Sequence, residues 1–182
     1  MLRVIAGEYG SRRLQSLEGN DTRPTMEKTR AAVFSRIGPY FDSGRFLDLF
    51  AGSGSMGIEA LSRGMKEAVF VEKSSRAARV IRENLKLLEI DNGEVCCMSY
   101  ETYLKNAEEP FDIIFMDPPY KMDIYRSAVS LIKERNLLKD NGVIILESDR
   151  ENTYEFDFPG MIIEKEATYG ISRITYLRKE NI

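Results

Sequence analysis

The fold of this 182-residue chain is decided by residues 46–57, which read FLDLFAGSGSMG. A short apolar strand turns here through closely spaced glycines into a predicted helix, Ser55–Arg63. Glycines let a backbone approach a ligand closely, and the first turn of a helix points free N–H groups toward it. Gly52, Gly54 and Gly57 follow the spacing G-x-G-x-x-G, which is typical of a loop that binds a nucleoside cofactor.

Two acidic residues near this loop indicate which cofactor it binds. Glu72 lies twenty residues after Gly52, at the predicted end of the second strand, where a carboxylate accepts hydrogen bonds from ribose hydroxyls. This feature fits NAD and S-adenosylmethionine equally, because both contain adenosine. Asp48 precedes the loop, where it would repel a pyrophosphate but can hold the ammonium group of a methionine moiety. Asp48 therefore favours S-adenosylmethionine.

Outside the loop, apolar runs alternate with helical periodicity, as in a parallel sheet covered by helices. The predicted strands are Arg45–Phe50, Ala68–Glu72, Glu94–Met98, Asp112–Met116 and Val143–Glu147. The other predicted helices are Ser75–Glu89 and Ile124–Arg135, and a turn at residues 140–142 should precede the fifth strand. Met161–Lys165 and Ile171–Leu177 predict a terminal antiparallel hairpin, because no helix separates them. We expect an α/β, Rossmann-like domain with a mostly parallel, seven-stranded sheet.

The first forty residues form a separate basic part of the chain. They carry seven basic and four acidic residues, whereas residues 41–182 carry nineteen and twenty-five, so the two parts have net charges of +3 and −6. Leu2–Ala6 and Arg12–Gln15 predict a small β-hairpin, and a helix is expected from Thr25 to Ile37. A polyanion should meet this extension before it meets the domain formed by residues 41–182.

Arg30 occupies an unusual position in the predicted first helix. At 100° per residue it falls inside the apolar stripe of that helix. Either the guanidinium snorkels to water while its stem covers the core, or the core holds the guanidinium toward a ligand or phosphate. In the second case Arg23 and Thr25, just before and at the start of the helix, would join it.

Composition excludes several classes of protein. Hydrophobic residues make up 43% and charged residues 30% of the chain, which fits one sizeable core. The sequence has neither a membrane-spanning apolar run nor a signal-peptide pattern, so we expect a cytoplasmic protein without a membrane partner. With no histidine, Ser-His and Cys-His couples and His-ligated zinc are excluded. Cys96 and Cys97 should point to opposite faces of a strand, so we expect packed, reduced thiols and no metal.

A second chemical motif, Asp117-Pro118-Pro119-Tyr120, follows the predicted strand Asp112–Met116. The prolines remove two N–H donors and stiffen the backbone, which leaves the Asp117 carboxylate and the Pro118 carbonyl as acceptors. This corner suits an exocyclic NH2 group, with Tyr120 stacking on the attached base. Such acceptors can turn the nitrogen lone pair toward a methyl sulfonium, so that positioning and electrostatics supply most of the catalysis. No histidine base is needed, because the proton can leave to water after the nitrogen has become cationic.

Taken together, these motifs resemble class I S-adenosylmethionine-dependent methyltransferases, and more narrowly the RsmD family of bacterial 16S ribosomal RNA guanine-N2 methyltransferases. The resemblance spans nearly the whole chain and is carried by residues 3–7, Arg23-Pro24-Thr25, Arg30 with Phe34, residues 48–54, residues 59–64, Glu72, Asn84-Leu85 and Asp117-Pro118-Pro119-Tyr120. Two positions depart from the family pattern: Ala31 stands where a glutamate commonly follows the helix arginine, and Ser99 stands where an acid or amide usually lies near the adenine.

The resemblance implies methyl transfer to a guanine N2, of the guanine-966 type, in 16S ribosomal RNA. It assigns roles to three groups of residues. The cofactor would be bound by Asp48, Phe50, Gly52, Ser53, Gly54, Glu72 and Ser99, and the guanine amine would be held by Asp117, Pro118, Pro119 and Tyr120. The residues that would face RNA are Arg12, Arg13, Arg23, Thr25 and Arg30. The expected substrate is an assembled or assembling 30S subunit, and the expected oligomeric state is a monomer.

Other functions remain open at this point. The same chemistry could methylate an exocyclic amine of another RNA base or of DNA, although 182 residues leave little room for a DNA target-recognition domain. The literal glycine spacing also permits an NAD-dependent oxidoreductase, which would leave Asp117–Tyr120 and the terminal hairpin unexplained. A cofactor-binding RNA module without activity is the non-enzymatic alternative, and the intact Asp-Pro-Pro-Tyr sequence disfavours it.

Overall fold

The computed structural model describes residues 1–17, 24–119, 121–152 and 156–181. Its helices are α1 (Pro24–Ile37), α2 (Ser55–Ser62), α3 (Ser75–Leu87), α4 (Tyr100–Asn106) and α5 (Lys121–Glu134). Its strands are β1 (Arg45–Asp48), β2 (Glu67–Val71), β3 (Gly93–Cys96), β4 (Phe111–Met116), β5 (Leu138–Asp149), β6 (Met161–Tyr169) and β7 (Ser172–Lys179). In this described part of the chain, no helix is long and apolar enough to cross a membrane.

The seven strands form one sheet in the order β3-β2-β1-β4-β5-β7-β6. The first five strands in this order are parallel to their neighbours, and β7 pairs antiparallel with both β5 and β6. This confirms the expected Rossmann-like α/β fold and its terminal hairpin. The strand order reverses between β1 and β4, and ligands bind in the crevice at the carboxyl ends of the strands near such a switch point.

Each face of the sheet is covered by a separate apolar core. One core joins sheet residues such as Phe46 and Phe70 to Leu2, Val4 and Phe34 of the amino-terminal extension. The other core packs α4, α5 and residues 156–158 against the opposite face. The extension therefore shares a core with the sheet, which fixes its position relative to the crevice.

Several sequence predictions were wrong in detail. Helix α4 was not predicted, because it has seven residues and one buried side chain, Leu104, so it carries little periodicity. The turn expected at residues 140–142 lies inside β5, where the ladder with β4 shifts register between Phe111 and Ile113. Cys97 is exposed rather than packed, because β3 ends at Cys96.

The amino-terminal hairpin is shorter than predicted. The structure has one antiparallel bridge, between Arg3 and Arg13, instead of two regular strands. Backbone hydrogen bonds still join the two arms, from Val4 N–H to the Arg12 carbonyl at 2.9 Å for example. The ladder stops because the next two amides, those of Ile5 and Ala6, donate to a side chain of α2 instead.

Candidate functional site

A cavity of about 920 Å³ opens at the carboxyl ends of β1, β2, β4 and β5, at the switch point of the sheet. It brings together predicted residues that are far apart in sequence: Arg30, Asp48, Phe50, Gly52, Ser53, Glu72, Ser99, Asp117, Pro118 and Pro119. The glycine loop and the Asp-Pro-Pro segment thus share one space, as a cofactor site beside a base site requires.

The glycines of the loop serve different purposes. Gly52 has φ +57°, and a Cβ built on it would meet no heavy atom within 4 Å, so its open side can receive a ligand. Gly54 has φ +83° and lies against Ile81, 3.1 Å from the position of a Cβ. A Cβ on Gly57 would stand 2.3 Å from the Phe70 ring. Gly52 therefore faces the cavity, whereas Gly54 and Gly57 let α2 pack closely against its neighbours.

Glu72 holds the glycine loop in place. One carboxylate oxygen accepts the Gly52 N–H at 2.8 Å, and the other accepts the Ser74 N–H at 2.9 Å. A carboxylate has about four lone-pair sites, so each oxygen keeps capacity for another donor. The same side chain can thus shape the loop and accept ribose hydroxyls.

Asp48 is almost fully buried at the end of β1, and one of its oxygens accepts the Gly57 N–H at 3.1 Å. The pKa of Asp48 is raised to about 7, chiefly by burial and also by the nearby carboxylates of Glu72 and Asp117, while the Gly57 hydrogen bond opposes the shift. A cationic group of a ligand in the cavity would favour the ionised form. The site therefore suits the ammonium that the sequence assigns to it.

The Asp-Pro-Pro segment follows β4, beside Asp48. Asp48 pairs in the parallel ladder with Phe115, two residues before Asp117. The Asp117 side chain is exposed and lines the cavity, Pro118 is buried, and Pro119 is exposed. Tyr120 lies outside the described residues. The segment thus presents a carboxylate to the cavity from a backbone that proline restrains.

The far wall of the cavity lies at the start of α4. Ser99 caps this helix, accepting the Thr102 N–H at 3.2 Å and donating to the Thr102 hydroxyl at 3.0 Å. The Phe50 and Tyr100 rings lie 5.3 Å apart, and both residues line the cavity. This apolar pair fits the face of a planar base. Sequence reasoning missed Tyr100, because the short helix that places it at the cavity was not predicted.

Glu59, in α2, forms a buried polar junction with the extension. Its carboxylate accepts the Ile5 N–H at 2.8 Å, the Ala6 N–H at 3.1 Å and the Arg63 Nε–H at 2.8 Å. Arg30 Nε lies 3.6 Å from the same carboxylate, and an Arg30 terminal nitrogen donates to the Arg3 carbonyl. An acid in the otherwise apolar helix α2 was the available signal for this junction, and it was missed.

Arg30 therefore does not snorkel. Its side chain is 5% exposed, and burial lowers the pKa of its guanidinium while Glu59 opposes that shift. Because the ion pair holds the guanidinium inside the protein, the geometry favours support of the cavity wall over direct contact with a phosphate on the surface.

The other residues predicted to face RNA are placed differently. Arg12 and Arg13 are exposed in the second arm of the amino-terminal hairpin, directly after its turn. Arg23 lies outside the described residues. Thr25 belongs to the first turn of α1, and its side chain is not among those described. Among the predicted RNA-facing residues whose side chains the structure describes, Arg12 and Arg13 are thus the exposed pair that a large anionic partner could contact.

The cavity also has carboxylates that sequence reasoning did not select. Glu147 and Asp149 line it from the end of β5, and Glu27 and Glu101 line it from α1 and α4. Glu147 accepts a hydrogen bond from the Ser172 hydroxyl at 2.8 Å, which ties it to the terminal hairpin. No local motif marks these residues, because the sheet brings them to the cavity from separate elements.

Comparisons with known proteins show the family of the chain. Residues 2–178 match the family model described as "Conserved hypothetical protein 95". The chain is 40% identical to "Putative rRNA methyltransferase YlbH" of Bacillus subtilis, covering 98% of this chain and 99% of that protein. It is 36% identical to "Ribosomal RNA small subunit methyltransferase D" of Haemophilus influenzae, covering 82% and 80% of the two chains. A solved structure of a conserved hypothetical protein from Streptococcus pyogenes is 37% identical, with a TM-score of 0.77 over 83% of this chain and 95% of that one.

Proposed function

This chain belongs to the RsmD family of S-adenosylmethionine-dependent ribosomal RNA methyltransferases, and we propose that it methylates the exocyclic N2 amine of a guanine in 16S ribosomal RNA. S-adenosylmethionine is its cofactor, and RNA is its macromolecular partner. The proposed nucleotide is of the guanine-966 type. The proposal is carried by one observation: the Asp-Pro-Pro segment and the glycine loop open on a single cavity.

The residues of the cavity suit this cofactor. Gly52 leaves open space on the side of the loop that faces the cavity, and the buried Asp48 carboxylate offers a counter-charge for an ammonium group. Glu72 would accept the ribose hydroxyls, and Phe50 and Tyr100, with Ser99 at the edge, would border the adenine. When bound, the cofactor supplies an electrophilic methyl group on a positively charged sulfur.

Asp117 would bind and orient the amine of the target base. Its carboxylate and the Pro118 carbonyl would each accept one N–H of the amine, so that the nitrogen lone pair points toward the methyl group. As the nitrogen becomes positively charged, the Asp117 carboxylate stabilises that charge. The excess proton can then pass to water, since Asp117 is exposed. Tyr120 would stack on the base from the same segment.

Methyl transfer to undermethylated small subunits tests this activity. Labelled S-adenosylmethionine should place its label in 16S RNA as N2-methylguanine, and fragment mapping would identify the nucleotide. Asp117→Ala should bind S-adenosylhomocysteine with unchanged affinity and lose at least about a hundredfold in turnover, comparable to the removal of one transition-state partner. Label in DNA or protein alone, or full turnover by Asp117→Ala, would overturn the assignment.

We further propose that the monomer acts on an assembled or assembling 30S particle. The net charge of the chain is −3, so a structured particle that adds shape contacts is a better partner than bare RNA. The exposed Arg12 and Arg13 would hold the phosphates. Replacing both with Gln should weaken RNA binding, lower the slope of log K against log salt by about 1 to 2, and leave S-adenosylhomocysteine affinity unchanged. An unchanged salt slope would remove the two arginines from the RNA interface.

A further inference from the structure

Asn84, in α3, joins two segments that are distant in sequence. The side chain is fully buried. Its carbonyl oxygen accepts the Gln15 N–H at 2.7 Å, and its amide nitrogen donates to the Gln15 carbonyl at 3.0 Å. The same nitrogen donates to the Ser53 carbonyl at 3.1 Å. One amide group thus connects the amino-terminal extension to the glycine loop.

Both connected segments form walls of the cavity. Ser53 lines it from the glycine loop, and Ser16 and Leu17, which directly follow Gln15, line it from the extension. The rigid amide plane sets the distance between these walls, because its hydrogen bonds are directional. A shift of the Ser53 carbonyl must either break its bond to Asn84 or move the Gln15 backbone with it. Through Asn84, a change in the position of the glycine loop can therefore change the position of the extension.

We propose that Asn84 is a positioning residue that couples cofactor binding at the glycine loop to the ordering of residues 15–17 of the extension. This inference rests on the proposed function, which places the cofactor at the loop and RNA at the extension. Once the cofactor has ordered the loop, the Asn84 side-chain amide is already held in the position that binds Gln15. The extension then loses less conformational entropy when RNA binds. Binding of either partner then favours binding of the other, and the coupling is reciprocal.

Amide hydrogen exchange measured by NMR tests the coupling at the atom concerned. In the wild-type protein, saturating S-adenosylhomocysteine should slow exchange of the Gln15 amide by at least about fivefold, because that amide donates to Asn84. The Ile5 and Ala6 amides, which donate to Glu59, should change less than twofold. Binding without any change at Gln15 would overturn the proposal.

Two variants separate coupling from simple docking of the extension. Asn84→Ala should remove the effect of S-adenosylhomocysteine on Gln15 and weaken its binding by about threefold to tenfold, the value of one hydrogen bond. Ser62→Ala is the matched control, because Ser62 also holds the extension, accepting the Tyr9 N–H at 3.0 Å and donating to the Ala6 carbonyl at 2.6 Å. This variant should keep both the cofactor affinity and the response of Gln15.

Steady-state kinetics give a second test. Asn84→Ala should raise the KM values for S-adenosylmethionine and for the RNA particle by about threefold to tenfold, with kcat within twofold, because the Asp117 corner is intact. Retained protection of Gln15 in Asn84→Ala, or the same loss in Ser62→Ala, would contradict the coupling. If Asn84→Ala does not fold, the effect of S-adenosylhomocysteine on exchange of the Gln15 amide in the wild-type protein tests the proposal. Calorimetry that detects no S-adenosylhomocysteine binding would reject the cofactor site as well, whereas binding without coupling rejects this inference alone.

Discussion

Replacing Glu59 with Gln should destabilise the protein more than any change of a surface ion pair. The Glu59 carboxylate is fully buried, accepts three hydrogen bonds and faces the guanidinium of Arg30. A carboxamide must turn its NH2 group toward one pair of these donors, and it removes the buried negative charge that Arg30 and Arg63 share. Breaking a buried pair by removing one partner costs about 3 to 5 kcal/mol.

Because glutamine keeps one acceptor oxygen, we expect the lower end of this range, about 3 kcal/mol. In a domain of this length such a loss corresponds to a decrease in Tm of roughly 6 to 12 °C. Urea unfolding would measure the free energy, and tryptic cleavage after Arg12 or Arg13 would report release of the extension. The control is Glu164→Gln, which removes two surface pairs, with Arg178 at 2.9 Å and with Arg36 at 3.9 Å, and should cost about 1 kcal/mol or less. A loss below about 1 kcal/mol for Glu59→Gln would refute the reasoning.

Three further changes probe the cavity. Because the pKa of Asp48 is raised to about 7 from an ordinary 3.8, the apo protein should lose stability as pH rises from 4 through 7, and Asp48→Asn should abolish that slope in urea unfolding. If the ammonium of S-adenosylhomocysteine meets Asp48, binding at pH 7 should release about half a proton, measurable by calorimetry in buffers of different ionisation enthalpy. Gly57→Ala would force a Cβ against the Phe70 ring and should cost about 1 to 3 kcal/mol of stability. Gly52→Ala should cost about 1 kcal/mol through its positive φ while weakening cofactor binding, and unchanged cofactor affinity would place the ligand elsewhere.

The parts of the site that can be predicted from the sequence are those that belong to short motifs. Gly52 and Asp117 follow apolar strands directly, so the switch point of the sheet places them together without any knowledge of distant contacts. Glu59 and Asn84 could not be interpreted in this way, because their hydrogen-bond partners in the extension, Ile5 and Gln15, lie 54 and 69 residues away. In sequence, one is an acid in an apolar helix and the other is an amide in an amphipathic helix. Their roles can be recognised only from the structure, in which the extension packs on α2 and α3.

The unequal distribution of charge follows from the chemistry of the two ligands. Among the described residues, the cavity is lined by seven carboxylates, Glu27, Asp48, Glu72, Glu101, Asp117, Glu147 and Asp149, and by two basic residues, Arg30 and Lys73. Such a cavity attracts a cofactor that carries a positive sulfur and repels the phosphates of RNA. In the proposed function, RNA would therefore be held by basic groups outside the cavity, as the +3 charge of the first forty residues allows, while a single base enters it. Because methyl transfer removes the positive charge on sulfur, we expect the acidic cavity to bind the product less strongly than the cofactor, which would favour exchange of one for the other after each turnover.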